Sequence, residues 1–458
     1  MNTSEKKVTV SKAKLEELMA SLPTLKKMPV VDVANLLLEL HIEHRVEILK
    51  KFTDEQRGLL VAEFPMEEQL NLIRQTSNRF FANILEHMPS DAQADLFQHL
   101  TQKEQAEILP YLSRPVRDNV LRLSSYGPET AGGIMSTDFA TVTENMTCAQ
   151  AIEKVRKDAP SKRTIYYNYV VNENQELLGF ITLKDLIMAD PDELVKNVMH
   201  TEFVCARVDD DREEVAKIIE KYDLVALPIV NMKNQLIGIV THDEAIDIIR
   251  AEQSEDLEKF MGIMQAGEEF NYLKTKTWTH FKKRVVWVVS LAAVGIISGL
   301  IIHRYEDALE KLLILALYMP MVADTGGNAG SQAATVVVRA MALGQVGVGD
   351  WFRILWKETK ISSLLALCLG LLAFAKVLFL SWETEVPSQY KLTSIAFAIS
   401  LALSLQVITA TVIGAGLPLL VKRFGGDPAV AASPAITTVV DITGLLIYFS
   451  MATFFFDL

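Results

Sequence analysis

Residues 285–302 read VVWVVSLAAVGIISGLII, a run that contains no charged side chain. A helix of this length crosses the hydrocarbon core of a bilayer. Similar apolar stretches follow, so we expect five membrane-spanning helices, at about 285–302, 312–342, 360–382, 392–421 and 430–456. The last third of the sequence, residues 285–458, therefore predicts a multi-pass membrane domain.

The net charge of −12 lies almost entirely outside this domain. Residues 285–458 contain 10 Lys and Arg and 11 Asp and Glu, whereas residues 1–284 contain 35 and 46. An acidic soluble part argues against nucleic acid as a partner, since nucleic acid needs a basic surface, and it suits small cations. The three cysteines are scattered, so their spacing predicts neither disulfides nor a zinc site.

Basic residues mark the connectors that we expect in the cytosol. They precede the first span, separate the second from the third and separate the fourth from the fifth: Lys282, Lys283, Arg284, Arg353, Lys357, Lys360, Lys422 and Arg423. The connector between the third and fourth spans instead carries Glu383 and Glu385. This distribution predicts that the N-terminus is cytosolic and that the C-terminus is outside. The polar N-terminus lacks the apolar segment of a cleaved signal peptide.

Apolar residues recur every 12 positions through the first 125 residues, with a break at Thr76. The repeated positions are Met28, Leu40, Phe52, Phe64, Met88, Leu100 and Leu112. Short helices that bury one stripe each against their neighbours stack into a solenoid. We therefore expect a flexible N-terminus at 1–24 and a helical solenoid at 25–130.

A duplication follows. The stretch LGFITLKD at 178–185 recurs 59 positions later as IGIVTHDE at 237–244. Each copy predicts strand, turn, strand and helix, and the pair resembles tandem CBS domains over residues 131–250, at about 135–190 and 198–250. In that resemblance Thr182 and Asp185 match a strand-to-helix motif that holds a nucleotide ribose. Capping of the helix by the same two residues is an equally good interpretation.

Acidic residues accumulate in the second copy and just after it, in a connecting segment at 243–284 that leads to the first span. They are Asp209, Asp210, Asp211, Glu213, Glu214, Asp223, Glu244, Asp247, Glu252, Glu255, Asp256 and Glu258. The pattern predicts one long helix from about Asp243 to Met264. Its carboxylates either form a solvated face or bind Mg²⁺ or Ca²⁺, which prefer clustered oxygen ligands. The position before the membrane favours cation binding.

The second predicted span contains the polar stretch DTGGNAGSQ at 324–332. Close helix packing explains its glycines but not Asp324, Asn328 and Gln332 together. Gly414 to Pro418 predict a break in the fourth span that frees backbone carbonyls.

The fifth predicted span places Asp441 near the middle of the membrane, where a carboxylate is costly unless it is hydrated or paired. One carboxylate per chain cannot strip the water shell from Mg²⁺, which typically keeps several waters. A two-fold axis along a pore would bring two Asp441 side chains together. The pattern therefore predicts a homodimer of ten spans that recognises a hydrated ion.

These motifs resemble the MgtE family of Mg²⁺ channels. The resemblance rests on GGNAGSQ at 326–332, RAMALG at 339–344, DPA at 427–429 and TTVVD at 437–441, and it covers nearly the whole chain. It implies a multidomain, mostly α fold, with an N-terminal helical solenoid, a tandem α/β CBS pair, a connecting plug helix and a five-helix transmembrane domain.

The resemblance also implies a function, namely Mg²⁺-selective influx across the plasma membrane. It implies a homodimeric channel or transporter that is no enzyme and is closed by cytosolic Mg²⁺. The implied pore residues are Asp441, Asn328, Gln332, Asp324, Gly326, Gly327, Thr437 and Thr438. The implied regulatory Mg²⁺ ligands are Asp91, Asp95, Asp211, Glu213, Asp223, Glu244, Asp247, Glu252, Glu255, Asp256 and Glu258. ATP in the CBS pair, near Thr182 and Asp185, is a further implied ligand.

Two alternatives stay open. One is a broader divalent-cation transporter or exporter for ions such as Mn²⁺ and Co²⁺, which the extra charge of Asp324 would suit. The other is a membrane-anchored nucleotide sensor without transport, which the polar residues inside the spans disfavour, because an anchor does not need them.

Overall fold

The computed structural model describes residues 14–264, 272–273, 275–384, 386–387, 389–431 and 433–457. They form two compact units, one extending to Glu252 and the other beginning at Gln253. Of the expected flexible N-terminus at 1–24, residues 1–13 lie outside the described residues, as do parts of the predicted connecting segment. Residues 14–24 are mostly helical and bury Leu15 and Leu18, so the expected flexibility is wrong there.

The first part of the first unit is a stack of short helices, as the repeat predicts. After a helical stretch at residues 14–20 the helices are α1 (Leu22–Leu25), α2 (Val30–Leu38), α3 (Ile42–Leu49), α4 (Asp54–Ala62), α5 (Met66–Gln75), α6 (Asn78–Glu86), α7 (Ser90–His99), α8 (Gln102–Ile108) and α9 (Arg114–Leu123). Reciprocal capping boxes begin α4, at Thr53 and Gln56, and α8, at Thr101 and Glu104. One continuous apolar core runs through the stack.

A polar ladder with the same period connects each helix to the one before it. Side chains spaced 12 apart donate to backbone carbonyls at the end of the preceding helix: Arg45 to Leu37 and Leu40, Arg57 to Leu49 and Phe52, Gln69 to Phe64, Gln93 to Met88, and Gln105 to Phe97 and Leu100. These donors satisfy carbonyls that a helix end leaves without partners. At the break in the repeat the ladder position is the buried Phe81, and the hydroxyl of Thr76 bonds the Leu72 carbonyl instead.

The two CBS-type copies have matching topology. After α10 (Ala131–Ile134), the first contains β1 (Ala140–Thr143), α11 (Cys148–Asp158), β2 (Tyr167–Val171), β3 (Leu177–Thr182), α12 (Leu183–Met188) and α13 (Val195–Val198), and the second contains β4 (Ala206–Arg207), α14 (Arg212–Tyr222), β5 (Ala226–Val230) and β6 (Leu236–Thr241). In each sheet the first two strands are parallel and the last two antiparallel. The register shifts at the same place in both copies, which confirms the duplication.

Helix α15 (His242–Phe260) leads from the last strand out of the first unit and ends before the predicted Met264. The second unit then contains α16 (Thr277–Val294), α17 (Ile296–Arg304), α18 (Glu306–Lys311), α19 (Ile314–Ala342), α20 (Trp351–Leu380), α21 (Leu392–Arg423) and α22 (Ser433–Phe456). Among the described residues, four helical segments are long and apolar enough to cross a membrane: Thr277–Arg304, Val348–Leu380, Leu392–Arg423 and Ser433–Phe456. Helix α19, with 29 residues, is the fifth long segment. Polar residues such as Asp324 and Asn328 make it less apolar than the others.

The predicted break in the fourth span is wrong. Helix α21 continues through Pro418. Gly414 instead allows close packing of α21 against α19, because a Cβ at this position would lie 2.0 Å from the Gly330 carbonyl oxygen of α19. Small residues at such crossings allow two backbones to approach each other closely. The contact fixes where α19 crosses α21.

Replacing Gly414 by Ala should therefore force the two helices apart and lower the stability of the second unit by about 1–3 kcal/mol. Gly416→Ala is the matched control, because the nearest atom to a Cβ there, on Leu355, is 3.8 Å away. Thermal unfolding of both variants of the full chain in detergent measures the difference. Equal melting temperatures would contradict the assigned crossing.

Candidate functional site

Polar residues form a stripe along α19. Asp324, Asn328 and Gln332 follow each other at intervals of four residues and are exposed on the isolated chain. The Asn328 amide lies 3.4 Å from the Asp324 carboxylate. Gly326 and Gly327 are buried, where α19 meets its neighbours. The polar and the packing functions predicted for this stretch are thus on different faces of one helix.

Helix α22 carries Asp441, which is half-buried and close enough to Asp324 for the two charges to interact. One turn earlier, Thr437 packs over Gly327, where an added Cβ would meet the Thr437 methyl at 3.0 Å. The structure therefore brings Asp441, Asp324, Thr437 and Gly327 together. Thr438 bonds the Pro434 carbonyl of its own helix.

Two serines also belong to this region, and the sequence reasoning did not identify them. The Ser433 hydroxyl donates to the Ser331 hydroxyl at 3.0 Å, and Ser331 lies 3.3 Å from the Thr437 hydroxyl. Serines within apolar helices commonly bond their own backbone, so sequence alone gives no signal for this interhelical chain of hydroxyls.

A further missed residue is Gln406 on α21. Its side chain is fully buried, and its Nε2 donates to the Val440 carbonyl at 2.7 Å, immediately before Asp441. A signal did exist, because Gln406 is the one amide in the apolar stretch 392–421. A buried amide in a predicted membrane span always requires a partner.

In the first unit, one arginine lies among three acidic residues, of which Asp91 is on α7 and Asp243 and Glu244 are on α15. Arg163 contacts Asp91 at 3.0 Å and Asp243 at 2.6 Å. Burial and the nearby charge of Asp91 raise the pKa of the neighbouring Glu244 to about 8. Burial also raises the pKa of Asp91, although Arg163 opposes that shift. Arg163 is thus shared by two carboxylates, and a third carboxyl group, that of Glu244, is partly buried beside them.

The other predicted regulatory carboxylates are distributed over separate sites. Asp95 lies 3.5 Å from His99, Asp211 caps α14 by accepting from the Glu213 backbone, and Asp223 ends α14 in a left-handed conformation. Glu213 pairs with Lys217, Glu252 with Arg212, and Asp247 lies 3.8 Å from Arg250. Within the described residues, no group of three or more His, Cys, Asp or Glu forms a ready-made metal site.

The end of α15 is attached to the loop that precedes α22. Lys259 lies 2.5 Å from Glu255 and 2.8 Å from Asp427. Although burial opposes it, the hydrogen bond from Lys259 lowers the pKa of Asp427. Next to Lys259, Phe260 packs against a buried cluster that includes Ile436 and Val440 of α22. Asp256 and Glu258 lie on the same helical end.

The predicted nucleotide residues form a helix cap. The Asp185 backbone donates to the Thr182 hydroxyl at 3.0 Å, and that hydroxyl donates to the Asp185 carboxylate at 2.6 Å. His200 also contacts this carboxylate, at 2.9 Å. Burial would raise the pKa of Asp185, but these hydrogen bonds lower it. The capping interpretation is thus confirmed, and a nucleotide role stays a prediction.

An apolar helical unit with carboxylates inside it, preceded along the chain by a unit that carries paired CBS-type sheets, is typical of one class of membrane transport proteins. Three family models match the chain. They are a divalent cation transporter at residues 319–451, the MgtE intracellular N domain at 28–129 and the CBS domain at 131–192 and 195–251.

The magnesium transporter MgtE of Bacillus subtilis is 33% identical over 93% of this chain and 91% of its own length. That of Thermus thermophilus is 37% identical over 73% of this chain and 72% of its own length. The chain belongs to the MgtE family, and the predicted fold class is confirmed. It is accordingly a transport protein and not an enzyme.

Two solved structures are similar to part of this chain. The cytosolic domain of the Mg²⁺ channel MgtE in complex with ATP shares 31% identity, covers 52% of this chain and 99% of its own, and has a TM-score of 0.48. The soluble part of a magnesium transporter shares 29% identity over 53% of this chain and 99% of its own, with a TM-score of 0.42.

The arginine site leads to a prediction. Arg163→Met should lower the stability of the full chain in chelator by about 2 kcal/mol, because Asp91 and Asp243 would lose the cation that they share. Millimolar Mg²⁺ should recover more of the melting temperature in this variant than in the wild type, because a divalent cation can replace the lost charge.

Arg156→Met is the control, since Arg156 pairs with Glu153 on the exposed surface of α11. Melting curves with and without Mg²⁺ compare the three proteins. An equal Mg²⁺ shift in the Arg163 variant and the wild type would contradict this account.

Proposed function

We propose that this chain conducts Mg²⁺ through a membrane pathway that contains Asp441. The observation that carries the proposal is the meeting of Asp441 and Asp324 within a unit of apolar helices. Two carboxylates inside a bilayer are unfavourable unless water or a cation accompanies them. A pathway for a hydrated divalent cation would supply both the water and the positive charge. The physiological direction we propose is influx across the plasma membrane.

A hydrated ion suits the groups in this region. Mg²⁺ releases water reluctantly and is often bound through retained waters. Asn328, Gln332 and Asp324 present carbonyl and carboxylate oxygens on the exposed stripe of α19, and such oxygens accept hydrogen bonds from the waters of an ion. Thr437 and the serines beside it add hydroxyl groups near Asp441.

The exposed stripe also supports a homodimer. On the single chain, Asp324, Asn328 and Gln332 are left uncovered by the other described helices. Polar side chains in a membrane face a protein interior or a water-filled cavity. A second copy related by a two-fold axis would cover the stripe, and it would double the number of carboxylates along the pathway.

We infer that α15 is the gate and that its end closes the pathway from the cytosolic side. Phe260 packs against Ile436 and Val440 next to Asp441, while Lys259 holds the helix to Asp427. In this proposal cytosolic Mg²⁺ stabilises the closed state by binding carboxylates of the first unit and of α15. Burial and then the nearby charge of Asp91 raise the pKa of Glu244, and a cation bound beside these two carboxyl groups would offset both effects.

The remaining regulatory residues, Asp95, Asp211, Glu213, Asp223, Asp247, Glu252, Glu255, Asp256 and Glu258, are proposed on family resemblance. Those of them that form ion pairs, such as Glu213, Glu252 and Glu255, would have to exchange these for Mg²⁺. ATP is proposed as a regulatory ligand of the CBS pair near Thr182 and Asp185, where it would have to replace the contact between Asp185 and His200. The cytosolic N-terminus and external C-terminus are proposed from the distribution of basic connectors.

Asp324 favours a second candidate, a transporter that accepts other divalent cations. A second carboxylate near Asp441 increases the electrostatic attraction for any divalent cation. Competition of Mn²⁺, Co²⁺ and Ca²⁺ with Mg²⁺ uptake into liposomes separates the two candidates. Dependence of uptake on a pH gradient would instead indicate coupled transport.

The pore assignment predicts that Asp441→Asn lowers Mg²⁺ uptake into proteoliposomes by about tenfold or more, because the neutral side chain attracts the ion less strongly. Asp307→Asn, an exposed carboxylate on the short helix α18, should leave uptake unchanged. A fluorescent Mg²⁺ indicator inside the liposomes measures both. Wild-type uptake by the Asp441 variant would remove the basis of the proposal.

The gate assignment predicts that Lys259→Glu weakens the closed state, because it places like charges against Glu255 and Asp427. Uptake should then persist at millimolar Mg²⁺ on the cytosolic side, where wild-type uptake stops. Adding Asp427→Lys should restore closure, since the pair of charges is re-formed in reverse. If the single and double variants close like the wild type, Lys259 does not hold the gate.

A further inference from the structure

We propose that Gln406 is a positioning residue that sets the place of the Asp441 carboxylate and thereby the preference among divalent cations. The inference rests on the proposed role of Asp441 in the pathway. Gln406 itself is fully buried, so it acts on the ion through the backbone of α22 and not by contact.

The first observation is the hydrogen bond. Gln406 Nε2 donates to the Val440 carbonyl at 2.7 Å. The Thr443 hydroxyl donates to the same carbonyl at 2.9 Å. The peptide group between Val440 and Asp441 is therefore held from a neighbouring helix as well as from its own. Any rotation of α22 that moved Asp441 would break the bond from Gln406.

The second observation is the slot that the amide occupies. A Cβ added to Gly326 of α19 would lie 2.6 Å from Gln406 Nε2, and one added to Gly444 of α22 would lie 2.7 Å from it. Gly326 is two residues after Asp324, and Gly444 is three residues after Asp441. The amide thus lies between the turns that carry the two carboxylates, and its size sets their separation.

The third observation is that packing alone does not explain a polar side chain here. Among the described residues, the buried Gln406 Oε1 has no hydrogen-bond partner. A buried acceptor without a partner is unfavourable, whereas Leu has similar volume and would leave no such atom. The amide of Gln406 therefore lowers the stability of the fold through its unpaired oxygen. What it provides in return is the hydrogen bond to the Val440 carbonyl.

The test uses Gln406→Leu in the full chain, reconstituted in liposomes. Uptake of Mg²⁺ is compared with uptake of Ca²⁺ and Co²⁺ at equal concentrations. We expect uptake to persist but the preference for Mg²⁺ to fall by about three- to tenfold, the range of single interhelical hydrogen bonds in membranes. The melting temperature should be unchanged or higher, since no unpaired acceptor is left.

Gly444→Ala is a second, independent variant, because its methyl group would displace the amide from the slot. It should shift the ion preference in the same direction. Thr411→Val is the matched control. Thr411 is also buried on α21, but its hydroxyl bonds the Val407 carbonyl of its own helix, so its loss should leave the preference unchanged.

Wild-type ion preference in both Gln406→Leu and Gly444→Ala would overturn the inference. If Gln406→Leu does not fold, Gln406→Met and Gly444→Ala are judged by the same criterion. Asp441→Asn in the same assay distinguishes failure of the proposed pathway from failure of the proposed role of Gln406. Unchanged uptake in that variant removes the proposed pathway, whereas reduced uptake there with unchanged preference in the Gln406 variants removes only the role of Gln406.

Discussion

The cost of a carboxylate in hydrocarbon is the constraint on which the second unit depends. Asp441 and Asp324 are close enough for their charges to interact, so each makes the other more expensive to bury. The arrangement is stable in a membrane when water reaches these side chains and a cation offsets their charge. Three features hold this hydrated region in place inside an apolar bundle. They are the glycine contacts of α19, the amide of Gln406 and the hydroxyl groups beside Thr437.

Much of the fold could be predicted because it depends on periodic patterns. The repeat of 12 residues gave the solenoid, the duplication gave the two sheets, and uninterrupted apolar runs gave the long helices. The prediction of a break at Gly414 was wrong. A glycine followed by a proline occurs both where a helix ends and where two helices cross closely, and the sequence does not distinguish the two cases. Here the partner, Gly330, lies more than eighty residues away in the chain, and only the packed bundle shows the contact.

The candidate site was predictable where chemistry is unusual for its surroundings, as for Asp441, Asp324 and Asn328. It was not predictable where a role depends on a partner in another helix. Arg163 reads as an ordinary surface residue, yet it lies between Asp91 and Asp243. The sequence places many acidic residues in the second CBS copy and on α15, but the structure distributes them over separate contacts. Glu213, Asp247 and Glu255 pair with basic residues three or four positions away on their own helix, whereas Glu252 pairs with the distant Arg212.

The ladder of Arg45, Arg57, Gln69, Gln93 and Gln105 has a consequence for how this solenoid can change in length. Each rung joins a side chain to carbonyls five or eight positions earlier, so its geometry is complete within one repeat and the turn before it. Whole units can be duplicated or lost with every remaining rung intact. A one-residue insertion inside a unit would instead detach a buried guanidinium or amide from its acceptors, so evolution can resize this module only in steps of one entire repeat.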